Sequence, residues 1–366
     1  MLFLYEIKKL YKNKIFLLLI ALFIAFDFFC VFTTCKPYLD ETYKMETALT
    51  DKFEGKLTKE KVDEITNNYN RLAELVNNNA YNTEYSESTY TGYEYMDYNV
   101  FSNLNDELSR IYNFSDKTDE NIEKINISAD FLSDNGSNCL AEKYRKTANA
   151  IAHREIKELH NYSGVNEYIN YNMSSVFIIL IVAFISVMTF SKSKELVDII
   201  YTSSYGKNKI CSVKLMSVIF NSVIVTFLFR IFDLIVFKLF IGLRGITSPL
   251  FYLEKYEMTY FDGSILSFSI LQTIGIVLSV LVASMICACI AIIICGADFS
   301  LLLSVLVALL VSSKNFIPDD FIYPKNIAFL PIGYARLLFY LALLILLMFL
   351  TKILHKGILK NGNIKV

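Results

Sequence analysis

Residues 264–313 read SILSFSILQTIGIVLSVLVASMICACIAIIICGADFSLLLSVLVALLVSS, fifty positions with a single charged residue, Asp298. A helix needs about 20 apolar residues to cross roughly 30 Å of hydrocarbon. The run is therefore too long for one crossing and long enough for two. Residues 296–298 (Gly-Ala-Asp) are the one turn-like, charged point inside it, so the expected division falls there.

Working outward, further apolar runs occupy 15–35, 173–191 and about 213–241 upstream, and about 335–351 downstream. That makes six spans. The composition agrees: 54% of the 366 residues are hydrophobic, more than a soluble domain covers with its own polar surface. The expected fold class is an all-α membrane protein with six transmembrane helices. A large, mainly helical extracellular domain, 36–172, is set between the first and second. The layout is then an amphipathic helix (1–14), the first span (15–35), that domain (36–172) and the second span (173–191). A loop (192–212), the bundle of spans three to six (213–351) and a tail (352–366) follow.

Charge fixes the orientation. Residues 36–172 carry 15 Lys+Arg against 25 Asp+Glu, leaving 20 against 11 for the rest of the chain. Lys8, Lys9, Lys12 and Lys14 precede the first span. Lys192, Lys194, Lys207, Lys209 and Lys214 lie between spans two and three, and Lys352, Lys356, Lys360 and Lys365 follow the last. With six spans all three basic segments fall on one side, the cytoplasmic side by the positive-inside bias. The expected location is thus the cell membrane, multi-pass, with both termini cytoplasmic. The first apolar stretch exceeds the 7–15 residues of a signal peptide and lacks a small-x-small cleavage site near 32–37, which favours an uncleaved anchor.

In the polar domain, Val62, Ile65, Tyr69, Leu72 and Val76 mark an amphipathic helix over 57–76, and Leu140, Tyr144, Ala148, Ile151 and Ile156 mark another over 139–159. Between them Tyr81, Tyr85, Tyr90, Tyr93, Tyr95 and Tyr98 crowd one segment, either a β-hairpin or an irregular aromatic surface. Of the seven Cys, only Cys35 and Cys139 face an oxidising exterior, too few for a disulfide framework.

Chemical motifs are sparse. The sequence contains no GxxxxGK[ST] loop, no HExxH, no CxxC and no GxSxG elbow. His153 and His160, seven apart on the predicted helix, share a face, as a zinc pair or as ordinary surface histidines. Charges inside spans are more informative, because placing one in lipid costs at least about 2.5 kcal/mol. Asp27 lies in the first span; Arg230, Asp233 and Lys238 lie in the third. Arg230 and Asp233, three apart, can pair within one helix. At 1.5 Å per residue, Asp27 and Arg230 sit at about 18 and about 25 Å along their spans, near enough in depth to pair across helices. A structural or snorkelling ion pair and a translocation-path role are the two readings.

Two cytoplasmic segments bear on function. FLYEIKKLYKNK, 3–14, separates Phe3, Ile7, Leu10 and Tyr11 from Lys8, Lys9 and Lys12, the pattern of a helix lying on the inner leaflet. SKSKELVDIIYTSSYGKNKICSVKLM, 191–216, has helical spacing at Leu196, Ile199 and Ile200, then a Ser-Ser-Tyr-Gly break. It is either a docking knob for another protein or a solvated connection.

This arrangement resembles the membrane subunits of type-two ABC exporters, the ABC transporter permeases. Glu195, the 196–201 helix ending in Tyr201, the 202–206 turn closing on Gly206, then Lys207 and Lys214, occupy the places of that family's cytoplasmic loop. Asp198 stands where Gly is common, and Lys207 where Arg is usual. The resemblance implies an elbow helix at 1–14 and an ATPase-coupling helix formed by Glu195, Leu196, Ile199, Ile200, Tyr201, Gly206 and Lys207. It also implies a homodimer, or a heterodimer with a sister permease, driven by separate ATPase subunits. ATP and Mg would bind on those subunits and no cofactor on this chain, which is then not itself an enzyme. Nucleic acid is not an expected partner. The rival class is a membrane-anchored receptor or sensor whose extracellular domain binds a ligand.

Overall fold

The computed structural model describes residues 2–152, 154–190, 206–257, 259, 261–294, 297–312 and 332–361. The chain is mostly helical, at 81%. Among the described residues, three helical stretches are long and apolar enough to cross a membrane: Lys14–Leu39, Ser163–Phe190 and Ile265–Ile293.

Helix α1 (Leu2–Lys12) ends where Asn13 leaves helical geometry, and the Asn13 Oδ1 accepts from the Ile15 N–H at 3.0 Å to start α2 (Lys14–Cys35). Leu10 is the buried residue of α1, and Phe3 meets Phe220 edge-on. The amphipathic segment therefore lies against the bundle rather than standing apart from it.

The polar domain follows as α3 (Glu41–Phe53), α4 (Lys59–Asn77), α5 (Glu94–Tyr112), α6 (Phe114–Asp134), α7 (Asn138–Ile151) and α8 (Ser163–Asn170). Strands β1 (Gly55–Lys56) and β2 (Glu158–Leu159) form a short antiparallel pair. Leu49, Phe53, Ile65, Leu72, Phe101 and Leu108 make up much of its core. The 57–76 expectation matches α4. The 139–159 expectation needs correction, because α7 stops at Ile151 and the chain then extends into β2. The tyrosine segment is no hairpin. Tyr81 to Tyr93 lie in an irregular loop and Tyr95 and Tyr98 on α5, whose buried Asp97 fastens the loop: its carboxylate accepts from the Tyr90 and Thr91 N–H groups and the Thr91 hydroxyl at 2.6–2.8 Å.

Helix α9 (Met173–Phe190) is the hub of the bundle, packing against α2, α10 (Gly206–Phe240), α11 (Ile265–Ile293) and α12 (Ala297–Ser312). Helix α13 (Ile332–Asn361) packs on α11. The 35 residues of α10 span about 52 Å, longer than the roughly 30 Å thickness of a hydrocarbon layer. It also begins seven residues before the expected span, so Gly206 opens a helix instead of ending one. The long apolar run does divide: α11 ends at Ile293 and α12 begins at Ala297.

The polar domain and the connection between α10 and α11 lie at the same end of the bundle and are joined. Glu257, 3% exposed, accepts from Arg110 at 2.6 Å and from Lys117 at 2.9 Å. Its backbone carbonyl accepts from Arg154, and Arg244 pairs with Asp51. Gly164 allows the closest approach, since a Cβ there would stand 2.1 Å from the Gly242 carbonyl oxygen.

Candidate functional site: an ionic cluster inside the helical bundle

A charged side chain in an apolar helix is kept by partners, and the partners of Asp27 and Asp233 come from several elements. Both aspartates have 0% exposure and Arg230 has 4%. Asp27 arrives on α2; Arg230 and Asp233 share a face of α10. The Arg230 Nη1 donates to the Asp233 Oδ2 at 3.5 Å, longer than a typical charge-assisted bond. Asp27 enters from the other side. The Tyr171 hydroxyl donates to its Oδ1 at 2.7 Å, and its carboxyl lies against that of Asp233.

The remaining walls are aromatic. The Arg230 guanidinium sits over the Tyr168 ring at 5.2 Å, and the Tyr168 hydroxyl is 3.0 Å from the Ser269 hydroxyl on α11. Phe237, one helical turn beyond Asp233, packs edge-on against both Tyr168 and Tyr171. Electrostatically the cluster sets two carboxyls against one guanidinium. Asp27 Oδ2, Asp233 Oδ1 and Arg230 Nε have no hydrogen-bond partner. The two carboxyls face each other, and the Ser174 hydroxyl lies beside Asp233.

The structure brings Asp27, Arg230 and Asp233 into one cluster, with the close ion pair running within α10. Lys238 is exposed and takes no part. Two groups of residues escaped the sequence reading. Tyr168 and Tyr171 precede an apolar run and carry no charge to mark them. Ser217, Asn221, Ser222 and Thr226 continue the same buried face of α10 toward its N-terminus. Their four-residue spacing, extended to Arg230, is a signal that marks a helix face turned away from lipid.

The coupling segment is not described in the same way. Glu195, Leu196, Ile199, Ile200 and Tyr201 lie outside the described residues. Gly206 and Lys207 form the start of α10. The proposed histidine pair loses its shared helix, since α7 ends before His160 and His153 lies outside the described residues. The His160 ring instead lies 3.3 Å from the Glu158 carboxylate. Among the described residues no group of three or more His, Cys, Asp and Glu side chains is placed to hold a metal ion. Comparison with protein-family models, with curated proteins and with solved structures found no match.

Proposed function

We propose that the chain is the membrane-spanning permease subunit of an ATP-driven ABC transporter, working as an exporter of a peptide, lipid or drug-like substrate. The observation that carries this reading is the order of the elements. An amphipathic helix packed on the bundle leads into an apolar helix and then a large polar domain. An apolar helix returns, a basic segment follows, and further apolar helices complete the chain. On this reading α2, α9, α10, α11, α12 and α13 are the six spans. Residues 36–172 are extracellular, and the termini and 192–212 are cytoplasmic. The protein sits in the cell membrane as a homodimer or with a sister permease. ATP and Mg belong to separate ATPase subunits, and this chain performs no hydrolysis. The buried ionic cluster fits a bundle whose helices must stay in register while it changes shape. A membrane-anchored receptor is the second reading, supported by the tight joining of the polar domain to the α10–α11 connection.

The test is the 192–210 segment. Helix-in-groove recognition depends on a few apolar anchors, here Leu196, Ile199 and Ile200, with Glu195, Tyr201 and Lys207 around them. Ile199→Asp with Ile200→Asp leaves the apolar helices untouched and should leave the protein inserted. It should also abolish co-purification of the ATPase and substrate-stimulated ATP hydrolysis. A double variant that retains its ATPase at the wild-type yield and still transports would sink the assignment.

A further inference from the structure

A cavity of about 370 Å³ opens in the polar domain between α3, α5, the 159–163 segment and the 252–254 turn. It is separate from the ionic cluster, and its wall has a particular charge balance. Glu46, Glu107 and Glu254 line it, against the guanidinium of Arg110 and the imidazole of His160, whose ring lies 3.3 Å from the Glu158 carboxylate.

That guanidinium is already spent. Arg110 forms a two-pronged pair with Glu107, donates to Glu257 through Nη1 and to the Tyr252 carbonyl through Nη2 at 3.0 Å. Burial alone would pull Arg110 down, but Glu107 and Glu257 more than offset this and hold it above its ordinary value. Glu107 is neutralised by the same contact. Glu46, half-buried, and Glu254, exposed at the rim, form no ion pair among the described residues. Burial pushes the Glu46 carboxyl up from its ordinary value, the direction expected of a half-buried carboxylate with no cation beside it.

The other walls suit an organic rather than a metallic cation. Tyr43, Tyr162 and Tyr252 present aromatic surface, and Val100, Leu104 and Leu159 contribute apolar surface. Tyr162 is nine-tenths buried, and its hydroxyl makes no hydrogen bond of normal geometry, although Ser248 lies beside it. Rings of this kind attract an ammonium or guanidinium group within about 6 Å, more strongly when water is excluded. A divalent metal requires several oxygen ligands converging on one point, and no group of three or more His, Cys, Asp or Glu side chains is so placed among the described residues.

We propose that this cavity binds an organic cation bearing amine or guanidinium groups on an aliphatic stem, as a polyamine or a basic peptide does. The cationic heads pair with Glu46 and Glu254, and the stem lies against the rings and the apolar wall. The proposal does not depend on how the bundle is powered, because it concerns only this chain.

Isothermal titration of the full-length protein in lipid nanodiscs tests it, with agmatine, spermidine and the dipeptide amide Lys-Arg as probes and glutarate as the anionic control. At least one cationic probe should bind saturably with one site per chain, weakening as salt is raised. Glu46→Gln with Glu254→Gln should lower its affinity at least tenfold, while Glu120→Gln, exposed on α6, should leave it unchanged. Circular dichroism and size-exclusion profiles check that the variants fold. The proposal is overturned if no cationic probe saturates below 10 mM, if the double variant binds as wild type does, or if glutarate binds equally well.

Discussion

Replacing Arg230 with Met removes the only guanidinium of the bundle's ionic cluster while keeping a long, helix-compatible side chain. Two aspartates with 0% exposure then share a pocket with no cation. Removing one member of a buried pair typically costs about 3–5 kcal/mol, because the remaining charge is buried and uncompensated. Two features place Arg230 near the lower end of that range. Its contact with Asp233 is long at 3.5 Å, and its Nε is unpartnered, so the native pair is loosely made. A loss of about 3 kcal/mol, at roughly 2 °C per kcal/mol, lowers the apparent melting midpoint by about 6 °C. The chain has no Trp, so the assay is the fraction surviving size-exclusion chromatography after heating, or loss of circular dichroism at 222 nm. The arrangement also makes an asymmetric forecast. Asp27→Asn keeps an oxygen to accept from Tyr171 and supplies an N–H donor toward the Asp233 carboxylate, so its cost should stay within about 1 kcal/mol. Arg230→Met combined with Asp233→Asn should recover more than half the loss, because the orphaned charge goes with its partner. The reasoning fails if Arg230→Met melts with wild type, which would mean a hydrated cluster. It fails equally if Asp27→Asn is as harmful as Arg230→Met.

Two further outcomes are expected. Glu257→Gln leaves Lys117 without its carboxylate and Arg110 with Glu107 and the Tyr252 carbonyl, a loss of about 1.5–3 kcal/mol; hydrogen exchange across 250–257 should rise, and unchanged exchange would show that the domain is held to the loop by other contacts. Cys139 is free and exposed, so on the proposed topology an impermeant maleimide should label intact cells and the label should vanish in Cys139→Ser; labelling that requires permeabilised cells would reverse the orientation.

The apolar helices were legible in the sequence because length and hydropathy alone mark them, and so was the division of the long run, although it falls between Ile293 and Ala297 and Asp298 lies inside the second helix. The Asp27, Arg230 and Asp233 cluster was legible for a related reason, since unpaired charges in apolar runs demand partners. What remained hidden was partner choice. Tyr171 is uncharged, and its role follows only from where α8 and α9 bring it against α2. The end of α7 at Ile151 was missed because the apolar spacing continues to Ile156, which the tertiary fold uses in the core beneath the domain instead. Glu257 sits in a short polar connection with nothing local to distinguish it. Its two cations lie 147 and 140 residues away in sequence, beyond any local pattern.

The cavity and the ionic cluster are joined by two continuous elements. Helix α3, which carries Tyr43 and Glu46, follows α2 after only the turn at Lys36–Leu39, and α2 carries Asp27. The 252–254 turn, on the opposite wall, belongs to the connection leaving α10, which carries Arg230 and Asp233. A ligand contacting both walls therefore restrains, at one end, the two helices that the cluster binds at depth. Coupling between sites requires that each bias the same structural alternative, and here that alternative is the separation of α2 from α10. If occupancy of the cavity favours one spacing, the cluster favours it reciprocally. The physical consequence is measurable as a difference of differences: the affinity for a cationic probe should change in Arg230→Met although that residue lies outside the cavity, and should change little in Glu120→Gln on the exposed hairpin of α6 and α7. Equal affinities in wild type and Arg230→Met would mean that the polar domain binds its ligand without informing the bundle.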